Sequence, residues 1–409
     1  MAGRSFSFLC TMSVAYALFL FTLVVLLYTY AGYGLLLFII KSFKKKSEIF
    51  STSDDLPAVT LIIPAFNEED WLEQKIKNSF LLKYPKEKLS IVFVIDGSTD
   101  NSKIIIDQYP NISALYQPER KGKMAAINRC MQSVTTPIVV FSDANTLLND
   151  DCLLHLAKHY QMPEVGGVAG EKKIYTPQKG SSIGYSEGLY WKYESFLKQL
   201  DSDFNTVVGA AGELFSMRTS LFAPQDEQII LDDFILSMKI CIDGYKVIYE
   251  PKAFAIETPS INIAEERKRR VRIAAGAFQT IALLWKYKLF FKKPLLYFQY
   301  FSRRILRWVA CPLCLVLLYL SNAYLVLQTE SSPVFTLFFI LQNLFYGIAL
   351  AGGFWYKAGI SLNIYFIPFY FVFMNSLLFE GFIKFISGNQ SVLWEKSKRK
   401  LILMQAEDK

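Results

Sequence analysis

The chain has 409 residues, 52% of them hydrophobic, 15% aromatic and 20% charged, with a formal net charge of +8. Its apolar residues gather in long charge-free runs, which excludes a disordered chain, a secreted disulfide scaffold and a purely soluble enzyme. The positive charge gathers beside those runs and at residues 267–272, so no nucleic-acid partner is expected.

The first run, residues 5–40, holds no charged residue. A bilayer core needs only about 20 apolar residues per helix, so it predicts a transmembrane helix. It is too long for a signal-peptide apolar region, and no small-residue cleavage pattern ends it. Lys41, Lys44, Lys45 and Lys46 follow it while only Arg4 precedes it, which puts the N-terminus outside and residue 41 onward in the cytoplasm. From Pro57, β-branched runs alternate with helical patterns. Strands are expected at 59–63, 91–95, 112–116 and 138–141, with helices at 69–82, about 100–109 and 123–133. A later helix at 234–241 precedes a strand at 247–250. Continuous apolar strands between helices mean a mostly parallel sheet buried on both faces, in a cytoplasmic α/β domain over 55–262.

Ligands of such sheets bind at the carboxyl ends of the strands. The first strand ends in Pro64-Ala65-Phe66-Asn67-Glu68, the second in Asp96-Gly97-Ser98-Thr99-Asp100, and the fourth in Ser142-Asp143-Ala144-Asn145. Asp100 reads as a helix N-cap, whereas Asp96 and Asp143 follow their apolar runs directly and face the crevice. No Gly-rich dinucleotide fingerprint or P-loop is present, so phosphates would need a metal and basic side chains. Lys121-Gly122-Lys123 enters a helix, either as an anion contact or as a solvated basic turn. Asp232-Asp233 opens another helix. Such a pair caps the helix or, held in a crevice, raises one pKa and makes a general base.

Arg267, Lys268, Arg269, Arg270 and Arg272 crowd one helix, suited to lipid headgroups or to a diphosphate. Lysines and aromatics interleave over 286–301, so 263–304 reads as basic and interfacial amphipathic helices. Charge-free runs at 308–329, 331–356 and 358–379 then make a hydrophobic region of about three spans over 305–380, with a basic tail at 381–409. The whole reads as a multi-pass protein of the cell membrane, inner or plasma. Three late spans leave the tail outside, yet Lys384, Lys396, Lys398, Arg399 and Lys400 argue for inside. Either one late run is re-entrant or the tail breaks the rule. Cys311-x-x-Cys314 lies in an apolar helix and reads as packing. His155 and His159, with no motif completing a zinc site, read as an exposed helix face.

Taken together, these positions resemble the family 2 glycosyltransferases, the group of cellulose, chitin and hyaluronan synthases and many bacterial polysaccharide enzymes. The resemblance implies a GT-A-like domain flanked by transmembrane helices. Pro64, Asn67 and Glu68 match the strand end that cradles the nucleoside, and Asp96 the aspartate that contacts the uridine or its diphosphate. Gly122-Lys123 through Asn128 is similar to the basic helix start. Asp143 takes the metal-binding place of an Asp-x-Asp motif whose second acid is here Asn145. Gly209 to Glu213, with Arg218, resembles the acceptor-side segment, which brings in Gly212 and Glu213 as binding residues. Asp232-Asp233 resembles a Glu-Asp pair whose second member is the base. Arg269-Arg270-Val271-Arg272-Ile273 aligns with Gln-x-x-Arg-Trp, keeping the arginine at Arg272 but placing Arg269 and Ile273 at the other two positions. Without that tryptophan, processive synthesis is an open question. Trp394-Glu395-Lys396 resembles a tail element of membrane-bound members.

The resemblance implies inverting transfer of a sugar from a nucleotide-sugar, a UDP-sugar, to an acceptor hydroxyl. Mg²⁺ or Mn²⁺ would sit at Asp143 and Asn145, Asp233 would be the base with Asp232 beside it, and Lys123 and Arg272 would stabilise the diphosphate. Three readings follow: a polysaccharide acceptor with the spans as an exit path, a lipid acceptor such as a polyprenyl phosphate or diacylglycerol, and a membrane scaffold with a degenerate transferase domain. Export partners are not specified by any of these residues.

Overall fold

The structure, a computed structural model, describes residues 2–43, 55–175, 182–288, 292–328, 332–360, 363–388 and 393. Lys44, Lys45, Lys46, the middle of the 286–301 segment and most of the tail, including Trp394-Glu395-Lys396, lie outside the described residues.

An apolar helix, α1 (Ala2–Leu27), runs through a π-helical turn (Tyr28–Gly32) into α2 (Tyr33–Phe43). The α/β alternation follows as β1 (Val59–Ala65), α3 (Glu69–Phe80), β2 (Leu89–Asp96), α4 (Ser102–Asp107), β3 (Ser113–Gln117), α5 (Lys123–Met131) and β4 (Ile138–Phe141). Each lies within a few residues of its expected place. Then come β5 (Leu147–Leu148), α6 (Cys152–Ala157), β6 (Val165–Ile174), α7 (Ser182–Phe204), β7 (Phe215–Arg218), α8 (Asp232–Ile242) and β8 (Lys246–Glu257).

The strands form one sheet in the order β3-β2-β1-β4-β7-β6-β8-β5. In the parallel half, β1, β2 and β4 are largely apolar and buried on both faces, as their Val, Ile, Leu and Phe residues require, while β3 is a mostly exposed edge strand. The expected parallel pairing holds among β1 to β4 and between β6 and β8, and antiparallel strands extend it into a mixed sheet. β7 runs antiparallel to both β4 and β6, and β5 runs antiparallel to β8. β7 enters between the two parallel sections after the 23-residue α7, a crossing that simple strand–helix alternation does not signal.

Beyond the sheet lie α9 (Ile263–Lys286), α10 (Pro294–Tyr300), a π-helical segment (Phe301–Ala310), α11 (Cys311–Val326), α12 (Pro333–Lys357) and α13 (Asn363–Ile386). Four helical stretches are long and apolar enough to cross a membrane: Met12–Phe43, Pro294–Val326, Pro333–Lys357 and Asn363–Ile386. The expected interfacial helix is therefore, from Pro294, the continuous start of one of these stretches. Its arginines turn inward rather than toward headgroups. Arg303 pairs with Glu194 at 3.1 Å and with Asp201 at 2.7 Å, and Arg304 and Arg307 also meet Glu194, all on α7.

α13 lies against the sheet domain along its length. Phe366 and Tyr370 pack with Ile183 of α7, and the Phe382 ring lies 5.0 Å from that of Phe278 on α9. At Gly381 a Cβ would sit 2.3 Å from the Ala274 Cβ, so glycine permits this close approach of the two helices. The end of α12 returns to the same side, with the Tyr356 ring 5.3 Å from Phe366. Cys311 and Cys314 are buried free thiols in packing positions. His159 is buried against Glu250 at 2.8 Å, which corrects the expectation of an exposed face, while His155 reaches back to Asp151.

Candidate active site

The carboxyl edge of the parallel strands opens into a cavity of about 640 Å³. Pro64, Glu68, Lys123, Asp143, Asn145, Gly212, Glu213, Asp232, Asp233, Arg269 and Arg272 all line it, so eleven of the thirteen expected site residues meet there. The other two, Asn67 and Asp96, stand behind the wall. Asn67 adopts a left-handed backbone, φ 53°, at the end of β1. Its N–H donates to Ser98 Oγ and its Oδ1 accepts from the Thr99 N–H, which ties the first two strand ends together. Asp96 accepts from the N–H groups of Lys121 and Gly122, the latter at 2.6 Å. It thereby holds the loop that leads into Lys123, and it borders a small recess with Phe66 and Arg120, whose guanidinium lies 3.6 Å over the Phe66 ring. Asp100 lies one residue before the N-cap of α4, which is Asn101, and accepts from the Glu69 and Ser102 N–H groups that begin α3 and α4.

The Lys123 ammonium is the centre of the site. It donates to Asp143 Oδ1 at 2.8 Å and lies 3.6 Å from Asp232 Oδ2. Burial works against its charge, but Asp143, Asp232 and Asp233 hold its pKa well above the ordinary lysine value. Gly212 leaves room for this contact, since a Cβ there would stand 3.0 Å from Lys123 Nζ and 3.4 Å from Asp233 Oδ2. Burial, reinforced by the neighbouring Asp232 carboxylate, pushes Asp233 up to about 7 against the pull of Lys123. Burial also raises Asp143, which Lys123 only partly offsets. The half-buried Arg272 faces the same three carboxylates.

Elsewhere on the cavity wall, Glu213 pairs with Lys172, which also pairs with Glu257. Burial pushes Glu213 up, and Lys172 more than reverses this. Arg269 lines the cavity but spends its guanidinium on Glu187 and Glu266, with Glu257 at 4.0 Å. Arg270 pairs with Glu266 at 2.7 Å, Arg267 with Glu380, and Lys268 with Glu265. Of the basic cluster, Arg272 is thus the member that faces Asp143, Asp232 and Asp233. Arg218 braces carbonyls of Tyr160, Met162 and Val165, away from the cavity.

Two supports escaped the sequence reading. Lys75 is fully buried and donates to Ser142 Oγ at 2.7 Å and to the Thr146 carbonyl at 2.9 Å, fixing the turn that carries Asp143 and Asn145. A lysine among Trp71, Leu72 and Ile76 on the buried face of α3 was the available signal. Lys172 and Glu257 lie on β6 and the far part of β8, outside every strand assigned from sequence.

Residues 60–223 match the sequence model for glycosyl transferase family 2. The poly-beta-1,6-N-acetyl-D-glucosamine synthase of Staphylococcus aureus (strain MSSA476) is 27% identical over 252 residues, 59% of this chain and 59% of that protein. The chain thus spans under two thirds of that relative's length. The Staphylococcus epidermidis synthase of the same name is 23% identical over 310 residues, 73% of this chain and 74% of that one. Among solved structures, the mannosyltransferase PcManGT from Pyrobaculum calidifontis, in complex with GDP-Man and Mn²⁺, superposes with TM-score 0.68 at 22% identity, covering 90% of this chain and 99% of that one. This likeness establishes the fold, a GT-A-like sheet domain with flanking apolar helices.

Because folding raises the Asp233 pKa from 3.8 to about 7, the folded state keeps a proton that the unfolded state releases. Stability is expected to fall as pH rises across that window. The thermal midpoint of Asp233→Asn, followed from pH 5 to 8, should vary less steeply than that of the parent chain. An unchanged slope contradicts the assignment.

Proposed function

From the family 2 glycosyltransferase domain that this chain carries, we infer that it is an inverting membrane glycosyltransferase. It moves a sugar from a nucleotide-sugar, a UDP-sugar, to a polysaccharide acceptor at the cytoplasmic face. The observation that carries this reading is the Lys123–Asp143–Asp232–Asp233 cluster at the sheet edge. Asp233, raised toward neutrality, is poised to take the proton of the attacking hydroxyl. Lys123 holds the carboxylates in place, and Arg272 would meet the negative charge that grows on the leaving diphosphate. One-step displacement needs one base and no enzymic nucleophile, which fits a site whose neighbouring Asp143 and Asp232 carboxylates are paired with Lys123.

Asp143 and Asn145 offer a carboxylate and an amide oxygen on the cavity wall, hard donors suited to Mg²⁺ or Mn²⁺. Among the described residues no group of three or more His, Cys, Asp or Glu side chains could hold a metal by itself. The two residues therefore fit an ion whose remaining ligands are donor phosphates. When bound, such an ion supplies charge neutralisation at the diphosphate.

The packing supports three membrane crossings, with α13 lying at the face of the sheet domain. α12 brings the chain back to that face at Tyr356, and Lys384, near the end of α13, borders the active-site cavity. The basic tail then starts on the catalytic side, which removes the conflict between its charge and the span count. Cysteines placed at Ser332 and Ser387 test this. A membrane-impermeant maleimide should label position 332 in intact cells and position 387 only after permeabilisation. Labelling of both from outside contradicts the topology.

Incubating purified membranes with a panel of radiolabelled nucleotide-sugars tests the activity. Label is expected in high-molecular-weight saccharide, and Asp233→Asn should cut transfer by about 10²–10⁴-fold while donor binding persists. Activity should rise with pH through about 7, as the base loses its proton. Label found only in solvent-extractable lipid favours a lipid acceptor. Absence of transfer from every donor overturns the enzyme reading.

A further inference from the structure

Past the carboxylates the cavity continues toward the membrane helices, lined by Tyr190, Trp191 and Lys198 of α7 and by Arg304 and Trp308 of the π-helical segment. Lys198 is only 3% exposed. Among the described residues its ammonium has neither an ion-pair partner nor a hydrogen-bond acceptor. It stands over two aromatic faces, 5.6 Å from the Trp191 ring centre and 6.0 Å from that of Tyr249. Trp191 adds a second orphan donor, since its buried Nε1 has no hydrogen-bond partner. A buried ammonium without partners is costly, so a lining that leaves one facing open space points to a ligand.

Two properties define that ligand. An ammonium and an indole N–H are donors only, so the group facing them must accept hydrogen bonds. The charge around them is also unbalanced. Lys198, Arg303, Arg304 and Arg307 supply four positive charges against Glu194 and Asp201, and the two further carboxylates that Lys198 feels, Glu213 and Glu171, already pair with Lys172 and, at 3.8 Å, with Lys173. Glu194 is already shared among the three arginines, and Arg304 donates to the Val208 carbonyl at 2.9 Å. A sugar hydroxyl would leave the excess charge in place, whereas an anionic group would remove it. Burial lowers Lys198 to about 8 despite Glu194, so a nearby anion would also secure its proton.

We infer that the membrane-side end of the cavity is a subsite for an anionic oxygen group of the acceptor, a phosphoryl or a carboxylate, held by Lys198 and Trp191 Nε1. Arg304 reinforces the field, and the Tyr190, Trp191 and Trp308 rings cover the moiety that bears the anion. The inference rests on the proposed function insofar as the cavity is the acceptor's. The group can arrive on a lipid or on a saccharide, and two anionic probes separate these sources.

The test is calorimetric titration of the purified full-length chain in detergent with dodecyl phosphate and methyl glucuronide, beside their neutral counterparts dodecanol and methyl glucoside. At least one anion should bind about tenfold or more tightly than its neutral counterpart, the scale of a charge-assisted hydrogen bond. Lys198→Met should abolish that preference, while Lys198→Arg keeps most of it at an unchanged thermal midpoint. Preference for dodecyl phosphate alone assigns a lipid source, and for methyl glucuronide alone a saccharide source. Equal binding of anionic and neutral probes, absence of binding, or a preference that survives Lys198→Met overturns the subsite. If nucleotide-sugar transfer persists in any of these cases, only the subsite falls. If the anion binds through Lys198 but no donor supports transfer, the proposed function falls instead.

Discussion

The site depends on one ammonium group among three carboxylates. Asp143 arrives from the end of β4, Asp232 and Asp233 from the start of α8, and Lys123 from the start of α5. Without Lys123, three like charges would share a largely buried wall, an arrangement that repulsion and desolvation both oppose. With it, charge is apportioned unequally. Asp143 is directly paired, while Asp233 remains close enough to feel Lys123 but keeps a raised pKa. Much of the surrounding structure serves this contact. Asp96 fixes the loop ahead of Lys123 through backbone N–H groups, Lys75 fixes the turn behind Asp143, and Gly212 leaves the space.

A second set of charges joins the site to the apolar helices. Glu213, Lys172, Glu257, Arg269, Glu266 and Arg270 follow one another from the cavity wall to α13, where Tyr370 donates to Glu266 at 2.8 Å. Glu194 and Asp201 of α7 gather the arginines of the π-helical segment in the same way. The sheet domain and the membrane helices are thus joined by buried ion pairs, which lose much of their value if one partner is removed.

The parallel half of the sheet and its strand-end residues were legible because their signals are local. Val59–Ala65 and Leu89–Asp96 are apolar but for Thr60, Ser90 and Asp96, and each leads into polar residues at the strand end. The second half was not legible for equally physical reasons. β6 contains Gly166, Gly167 and Gly170, which dilute the strand pattern yet are demanded by packing, since a Cβ at Gly166 would approach Ile240 within 2.6 Å. Arg303, Arg304 and Arg307 looked like headgroup-facing charge because their partners lie about a hundred residues away on α7. Likewise the 267–272 cluster reads as one basic patch in sequence, but folding assigns its members to separate carboxylates and leaves Arg272 to the site.

The most direct test of the central claim is a double-mutant cycle of Lys123→Met and Asp233→Asn on the rate of sugar transfer. If Lys123 acts largely by holding the carboxylates and setting the proton affinity of Asp233, the double variant should lose little more activity than the worse single variant. Losses that add in full would mean that the two residues act independently, and would contradict the account.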